Sequence, residues 1–138
     1  MAVLSRTPGD VLASVWAAAG LACEVTVVRM PEVGQVTVRG RIGGGGQPFN
    51  VGEATVTRAT VRLGSGEVGH SYALGSDREK ARLAATIDAL WQRPDARERV
   101  REAILAPLGQ RIDEADHGRR AETAATRVNF FTMVRGED

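Results

Sequence analysis

Three side chains carry the chemistry that the sequence offers: Glu53, Arg58 and His70. Glu53 is the one acidic group in an otherwise apolar and hydroxyl-rich stretch, followed by Thr55, Thr57 and Arg58. In an extended chain Glu53, Thr55 and Thr57 line one face and Arg58 projects from the other. A face of Glu, Thr and Thr suits a polar ligand, and it equally suits the solvated side of an antiparallel sheet. His70 shares parity with Tyr72 and reads either as an acid–base group or as a polar residue on an interface strand. Arg39, Arg41, Arg58 and Arg62 crowd the extended segments. Guanidinium matches phosphate and carboxylate in bidentate geometry, and it is also common at protein interfaces.

Other chemistries lack their residues. A Walker-type phosphate loop needs Lys and Ser or Thr directly after its last glycine. Gly43–Gly46 is followed by Gln47-Pro48, and the sole lysine is Lys80. The glycine run lies between two apparent strands rather than between a strand and a helix, unlike a dinucleotide fingerprint. It reads as a hairpin loop, with an anion-cradling set of backbone amides as the sharper alternative. Only His70, His117 and Cys23 are strong nitrogen or sulfur ligands, and they are scattered, so no metal or iron–sulfur site is expected. His117 precedes Gly118 in a charged helix end, where a capping contact is expected. No serine sits in a nucleophile elbow and no Cys–His pair is apparent.

The 138 residues suit one domain spanning 1–138. A formal net charge of +1 and six aromatic residues argue against a polyanion binder or a base-stacking surface, so no nucleic-acid partner is expected. Cys23 is alone, which excludes a disulfide within the chain and fits a reducing compartment. No signal peptide is expected from the N-terminal residues, where Arg6, Pro8 and Asp10 closely follow Met1–Leu4, and Val11–Cys23 is too short to span a bilayer. A cytoplasmic protein with no membrane partner is expected.

The elements that must position these groups follow from periodicity. Residues 7–19 read as a helix capped by Thr7, with Val11, Leu12, Val15, Trp16 and Ala19 on one stripe and Gly20 ending it. Residues 24–29 and 35–42 read as strands joined by a turn over Met30–Gly34. In the second, Val36, Val38 and Ile42 share one face, expected to be buried, and Gln35, Thr37, Arg39 and Arg41 the other. Residues 49–63 are extended, with a change of phase that asks for a bulge near Thr57-Arg58. Gly64-Ser65-Gly66 is a hairpin turn before a strand over 68–74. Ser76-Asp77-Arg78-Glu79 reads as a capping box with Ser76 as the cap of a long helix. Its seam is Leu83, Ile87 and Leu90, and Pro94 stops it. Asp95 and Glu98 start another helix with Val100, Ile104 and Leu105 inward, interrupted at Pro107 and Gly109. Residues 110–127 form a mostly exposed helix, and 128–134 a strand apolar on both sides. The expected class is α+β: a mainly antiparallel sheet of about four to five strands with helices packed on one face.

Several segments together are not generic. They include Arg41-Ile42-Gly43-Gly44-Gly45-Gly46, Phe49-Asn50-Val51-Gly52-Glu53-Ala54-Thr55-Val56-Thr57-Arg58-Ala59, Leu105-Ala106-Pro107-Leu108 and Arg127-Val128-Asn129-Phe130-Phe131-Thr132-Met133-Val134-Arg135-Gly136. Their order and spacing resemble the PhnG family, a subunit of the bacterial carbon–phosphorus lyase system, over nearly the whole chain. The sequence departs from the family pattern at His70, where Tyr is expected, and at Ser76, where Arg is expected. The family also extends further before the segment matching Met1-Ala2-Val3-Leu4.

The resemblance implies a role in phosphonate breakdown. In it the family acts with PhnH, PhnI and PhnL to transfer ribose 5-triphosphate from ATP to methylphosphonate with release of adenine. It also implies a two-fold hetero-oligomer that includes PhnJ, with ATP as substrate of the complex and no cofactor held by this chain. It transfers no catalytic residue to a position here. Phe130, Phe131, Met133 and Arg135 are the expected partner contacts. A separate small-molecule binder or enzyme built on Glu53, Arg58 and His70 is the alternative.

Overall fold

The computed structural model describes residues 1–43 and 45–126. The first break in the chain is set by Pro8, which disfavours helical backbone in the residue before it. Thr7 is accordingly extended, at φ −74° and ψ 134°, and separates helix α1 (Ala2–Arg6) from helix α2 (Gly9–Ala19). The single helix expected over 7–19 is therefore two. Thr7 is not the cap of the second: its buried hydroxyl donates to the Val3 carbonyl at 2.9 Å, closing α1. Gly20 ends α2 in the left-handed conformation, at φ 58°.

Strand β1 runs without a turn from Val25 to Arg41. The expected turn at Met30–Gly34 is instead a bulged stretch of one strand. Register shifts fall between Val27 and Arg29 and between Arg29 and Glu32, so β1 carries extra residues against its partner. Pro31 lies in the second of these. Because β1 is an edge strand, the missing N–H of Pro31 breaks no essential ladder bond. Strand β2 (Pro48–Leu63) pairs with β1, and strand β3 (Val68–Leu74) pairs with β2, both antiparallel in the order β1-β2-β3. The described sheet thus has three strands rather than four to five, since two expected strands are one. The expected strand over 128–134 lies outside the described residues.

The phase change in β2 also resolves differently from expectation. From Val56 to Arg62 it pairs with β3 without a break. Val56 and Thr57 are both buried although they face opposite sides of the sheet, Val56 among neighbouring side chains of its own face. Thr57 lies on the helix side and donates to the Gly75 carbonyl at 2.6 Å, whereas Val56 floors a small hollow with Gly34, Val36, Arg58 and Tyr72. The bulges sit on β1, with a further shift beside Val51.

Helix α3 (Arg78–Gln92) lies on one sheet face. Its cap is Asp77, whose carboxylate accepts the Lys80 N–H at 2.8 Å, rather than Ser76. Asp77 takes this role because it directly precedes the first helical residue, Arg78, which puts its carboxylate within reach of the free amide of the third, Lys80. Leu83, Ile87 and Leu90 are buried against Ala59, Val61 and Leu63 of β2 in one core, as the seam predicts. The helix sits so close to β3 that a Cβ at Gly69 would stand 2.0 Å from the Ala85 carbonyl oxygen and 2.5 Å from the Ala89 nitrogen. Arg93 breaks the helix, and Pro94 opens helix α4 (Pro94–Val100).

Pro107 does not interrupt the next segment as expected. A π-helical turn over Arg101–Leu105 lets the Ala106 N–H bond the Arg101 carbonyl five residues back. Pro107 then falls in the first turn of helix α5 (Ala106–Ala125), where its missing N–H costs nothing. Val100 and Ile104 are fully buried, whereas Leu105 is only half-buried. Most of α5 is exposed after Leu108. Arg6 ties α1 to α5 through Asp116 at 2.7 Å. No described helix is long and apolar enough to cross a membrane.

Candidate functional site

The sheet has two unlike faces. The one carrying Ala59, Val61 and Leu63 is covered by helices. Among the described residues no helix covers the other, which carries Arg58, Thr60 and Arg62. Antiparallel register places Arg58 opposite Tyr72 and Thr60 opposite His70 on β3, and Glu32 opposite Arg58 and Arg29 opposite Thr60 on β1. Paired residues project to the same side, so Arg58 and His70 become diagonal neighbours on the bare face. A hollow of about 330 Å³ is lined there by Arg29, Arg58, Thr60, His70 and Tyr72, with Met1 at its rim.

Within this hollow the polar groups are partly engaged. The Arg58 guanidinium donates to Glu32 Oε2 at 3.2 Å, and both side chains are about half exposed, so the pair is worth roughly 0–1 kcal/mol. The His70 ring Nδ1 lies 3.1 Å from Thr60 Oγ1. The His70 backbone N–H is taken by Asp88 Oδ2 at 3.0 Å, which pins the β3 edge to α3. What remains free to act is a patch of guanidinium and imidazole donors beside a phenol. That set can orient an anionic group, and it offers no activated nucleophile.

Two of the three sequence candidates therefore meet, and Glu53 does not join them. Glu53 pairs with Thr37 on the opposite face, toward the β1–β2 loop. Its supposed neighbours diverge in use: Thr55 is exposed, while Thr57 is spent on the Gly75 carbonyl. Phe130, Phe131, Met133 and Arg135 lie outside the described residues. Reasoning from sequence missed Arg29 and Glu32, because only the bulges of β1 bring them opposite Thr60 and Arg58.

The glycine loop joins β1 to β2 as a hairpin connection. The Gly46 N–H is held by the Ile42 carbonyl at 3.1 Å, and Arg41 Nη1 donates to the Gly46 carbonyl at 3.3 Å. The Gly46 amide, at least, is turned inward to the loop rather than toward an anion. His117 does not stand at a helix end as expected: α5 runs through Gly118 to Ala125, and the His117 Nδ1 contacts the Asp113 carbonyl one turn back at 2.9 Å. Burial pushes the Cys23 thiol above its ordinary pKa, with Arg93 drawing it partly back. Among the described residues no three His, Cys, Asp or Glu side chains are grouped to hold a metal ion.

Comparison with known proteins places the chain in a family. The model of the family described as phosphonate metabolism protein PhnG matches residues 1–136. The alpha-D-ribose 1-methylphosphonate 5-triphosphate synthase subunit PhnG of Rhizobium meliloti (strain 1021) is 55% identical over 138 residues, covering 100% of this chain and 88% of that protein.

Proposed function

The chain belongs to the PhnG family of phosphonate metabolism proteins, and from that premise we propose that it is a subunit of an alpha-D-ribose 1-methylphosphonate 5-triphosphate synthase. The observation that carries this reading is 55% identity along its whole length to a protein bearing that name. The reaction would join a methylphosphonate oxygen to C1 of the ribose of ATP and break the bond from that carbon to adenine. The chain acts in the cytoplasm with homologues of PhnH, PhnI and PhnL, in a two-fold assembly that includes PhnJ. It holds no cofactor of its own, and ATP is a substrate of the complex.

The role we assign within that complex is to complete or hold a site rather than to run the chemistry alone. The bare sheet face supports this: its donors can position an anion, while Glu53, the sole carboxylate candidate, points away from them. Phe130, Phe131, Met133 and Arg135 are proposed partner contacts. The test is reconstitution. Adenine release from ATP and methylphosphonate should require this chain together with its partners, and the chain should co-elute with the PhnI homologue. Turnover by the purified chain alone, or failure to co-elute, would overturn the proposal.

One observation favours a second reading. The hollow that gathers Arg29, Arg58 and His70 is large enough for a phosphate-bearing fragment. A stand-alone binder would take up ATP or methylphosphonate in direct titration and lose it on Arg58→Ala. The subunit reading expects no saturable binding by the isolated chain.

A further inference from the structure

We infer that the sheet face left bare by the described residues is a docking surface for a different protein chain, one presenting an apolar strip with carboxylates at one end. The inference rests on the subunit reading above and deepens it by assigning the face and its chemistry.

The apolar half comes from the register. Beyond the end of β3, strands β1 and β2 continue, among the described residues, as a two-stranded arm over Gln35–Arg41 and Pro48–Thr55. A two-stranded ribbon is at best marginally stable by itself in water. On its bare side stand Val38, Phe49 and Val51, which are 43%, 44% and 61% exposed. Val51, left unpaired at the register shift, leans over Gly40, whose missing side chain leaves it room: a Cβ there would sit 2.7 Å from Val51 Cγ2. The strip continues onto β3, where Tyr72 and Leu74 are 52% and 71% exposed on the same side. By register these residues lie on the sheet face opposite the one that the described helices cover. An exposed apolar strip of this extent marks an interaction site.

The basic half identifies the partner. Arg29, Arg58 and Arg62 share the same face, opposed by the single strand carboxylate Glu32. A second copy of this chain would meet these guanidiniums either with its own or with its apolar strip, and both leave charge buried without a partner. Nucleic acid would satisfy the arginines and leave Phe49, Val51 and Leu74 facing phosphate. A protein surface with an apolar centre and carboxylates at one end satisfies both halves.

The experiment co-expresses the chain with the other synthase subunits and recovers the complex through a tag on a partner. Val38→Glu with Leu74→Glu, and separately Arg58→Glu with Arg62→Glu, should each lower recovery at least tenfold. Arg99→Glu, on the exposed surface of α4, should leave it unchanged, and circular dichroism should show all variants folded. Recovery of both bare-face variants at the wild-type level overturns this inference and leaves the subunit reading standing. Loss with the apolar pair only overturns the carboxylate assignment. A homodimer in light scattering that Leu74→Glu dissolves, or salt-sensitive RNA binding abolished by the arginine pair, reassigns the face and overturns the partner named here. No complex with wild-type chain overturns the subunit reading, and this inference with it.

Discussion

Individual side chains show how narrowly local rules can be read. Ser76 and Asp77 are both good helix caps by type, and the first of them heads a capping-box pattern. Asp77 takes the position because the helix starts one residue later than the pattern suggests, at Arg78. Asp77→Ala should therefore cost about 0.5–2 kcal/mol in a urea titration. Ser76→Ala, at an exposed position outside the cap, should stay within about 0.5 kcal/mol of wild type. Cys23 gives a second check. Its partly buried thiol has a raised pKa, so less of it is thiolate near pH 8 than for a free thiol. Alkylation by iodoacetamide at that pH should be slower in the folded chain than in urea, and equal rates would contradict the burial.

Elements are held by close approach as much as by apolar area. Helix α3 lies on β3 with no room for a methyl group at Gly69, since two backbone atoms of the helix stand within 2.5 Å of where it would go. Gly69→Ala has to push the helix off the sheet and so strain the layer around Val61 and Ile87. A loss of about 1–3 kcal/mol is expected, the range for overpacking a core, with a lower midpoint in thermal unfolding as the readout. The same logic explains why Pro107 is harmless. One wide turn before it gives its helix a new start, which places the ring in a first turn, where proline is tolerated. The sequence reading of a break at Pro107 assumed that the preceding turn would be α-helical.

The described residues form two layers, helices and sheet, and leave the second sheet face uncovered. Protection should therefore grade along the sheet. Amides of β2 between Thr57 and Arg62, flanked by two strands and a helix, should be among the slowest to exchange with deuterium. Those of the arm, over Gln35–Arg41 and Pro48–Thr55, should exchange close to the unprotected rate in the free chain. In the assembled complex the arm should become protected. An arm as slow as the three-stranded region in the isolated chain would mean that it needs no cover.

Much was present in the sequence. Alternation and turn residues give the β2–β3 hairpin at Gly64-Ser65-Gly66, the helical seam of α3 and the α+β class, because these depend on neighbours a few residues apart. The family could be read directly from the blocks around Glu53 and after Arg127, for the same reason that order and spacing are properties of the chain itself. Tertiary structure alone decided three matters. Bulges in β1 turned two expected strands into one and brought Arg29 and Glu32 to Thr60 and Arg58. Register separated Glu53 from the arginine and histidine it was grouped with. Helix placement chose which face of the sheet is covered, so Val38, expected to be buried, is exposed. Alternation states that a strand has an apolar side; only long-range packing determines whether this chain or another one covers it.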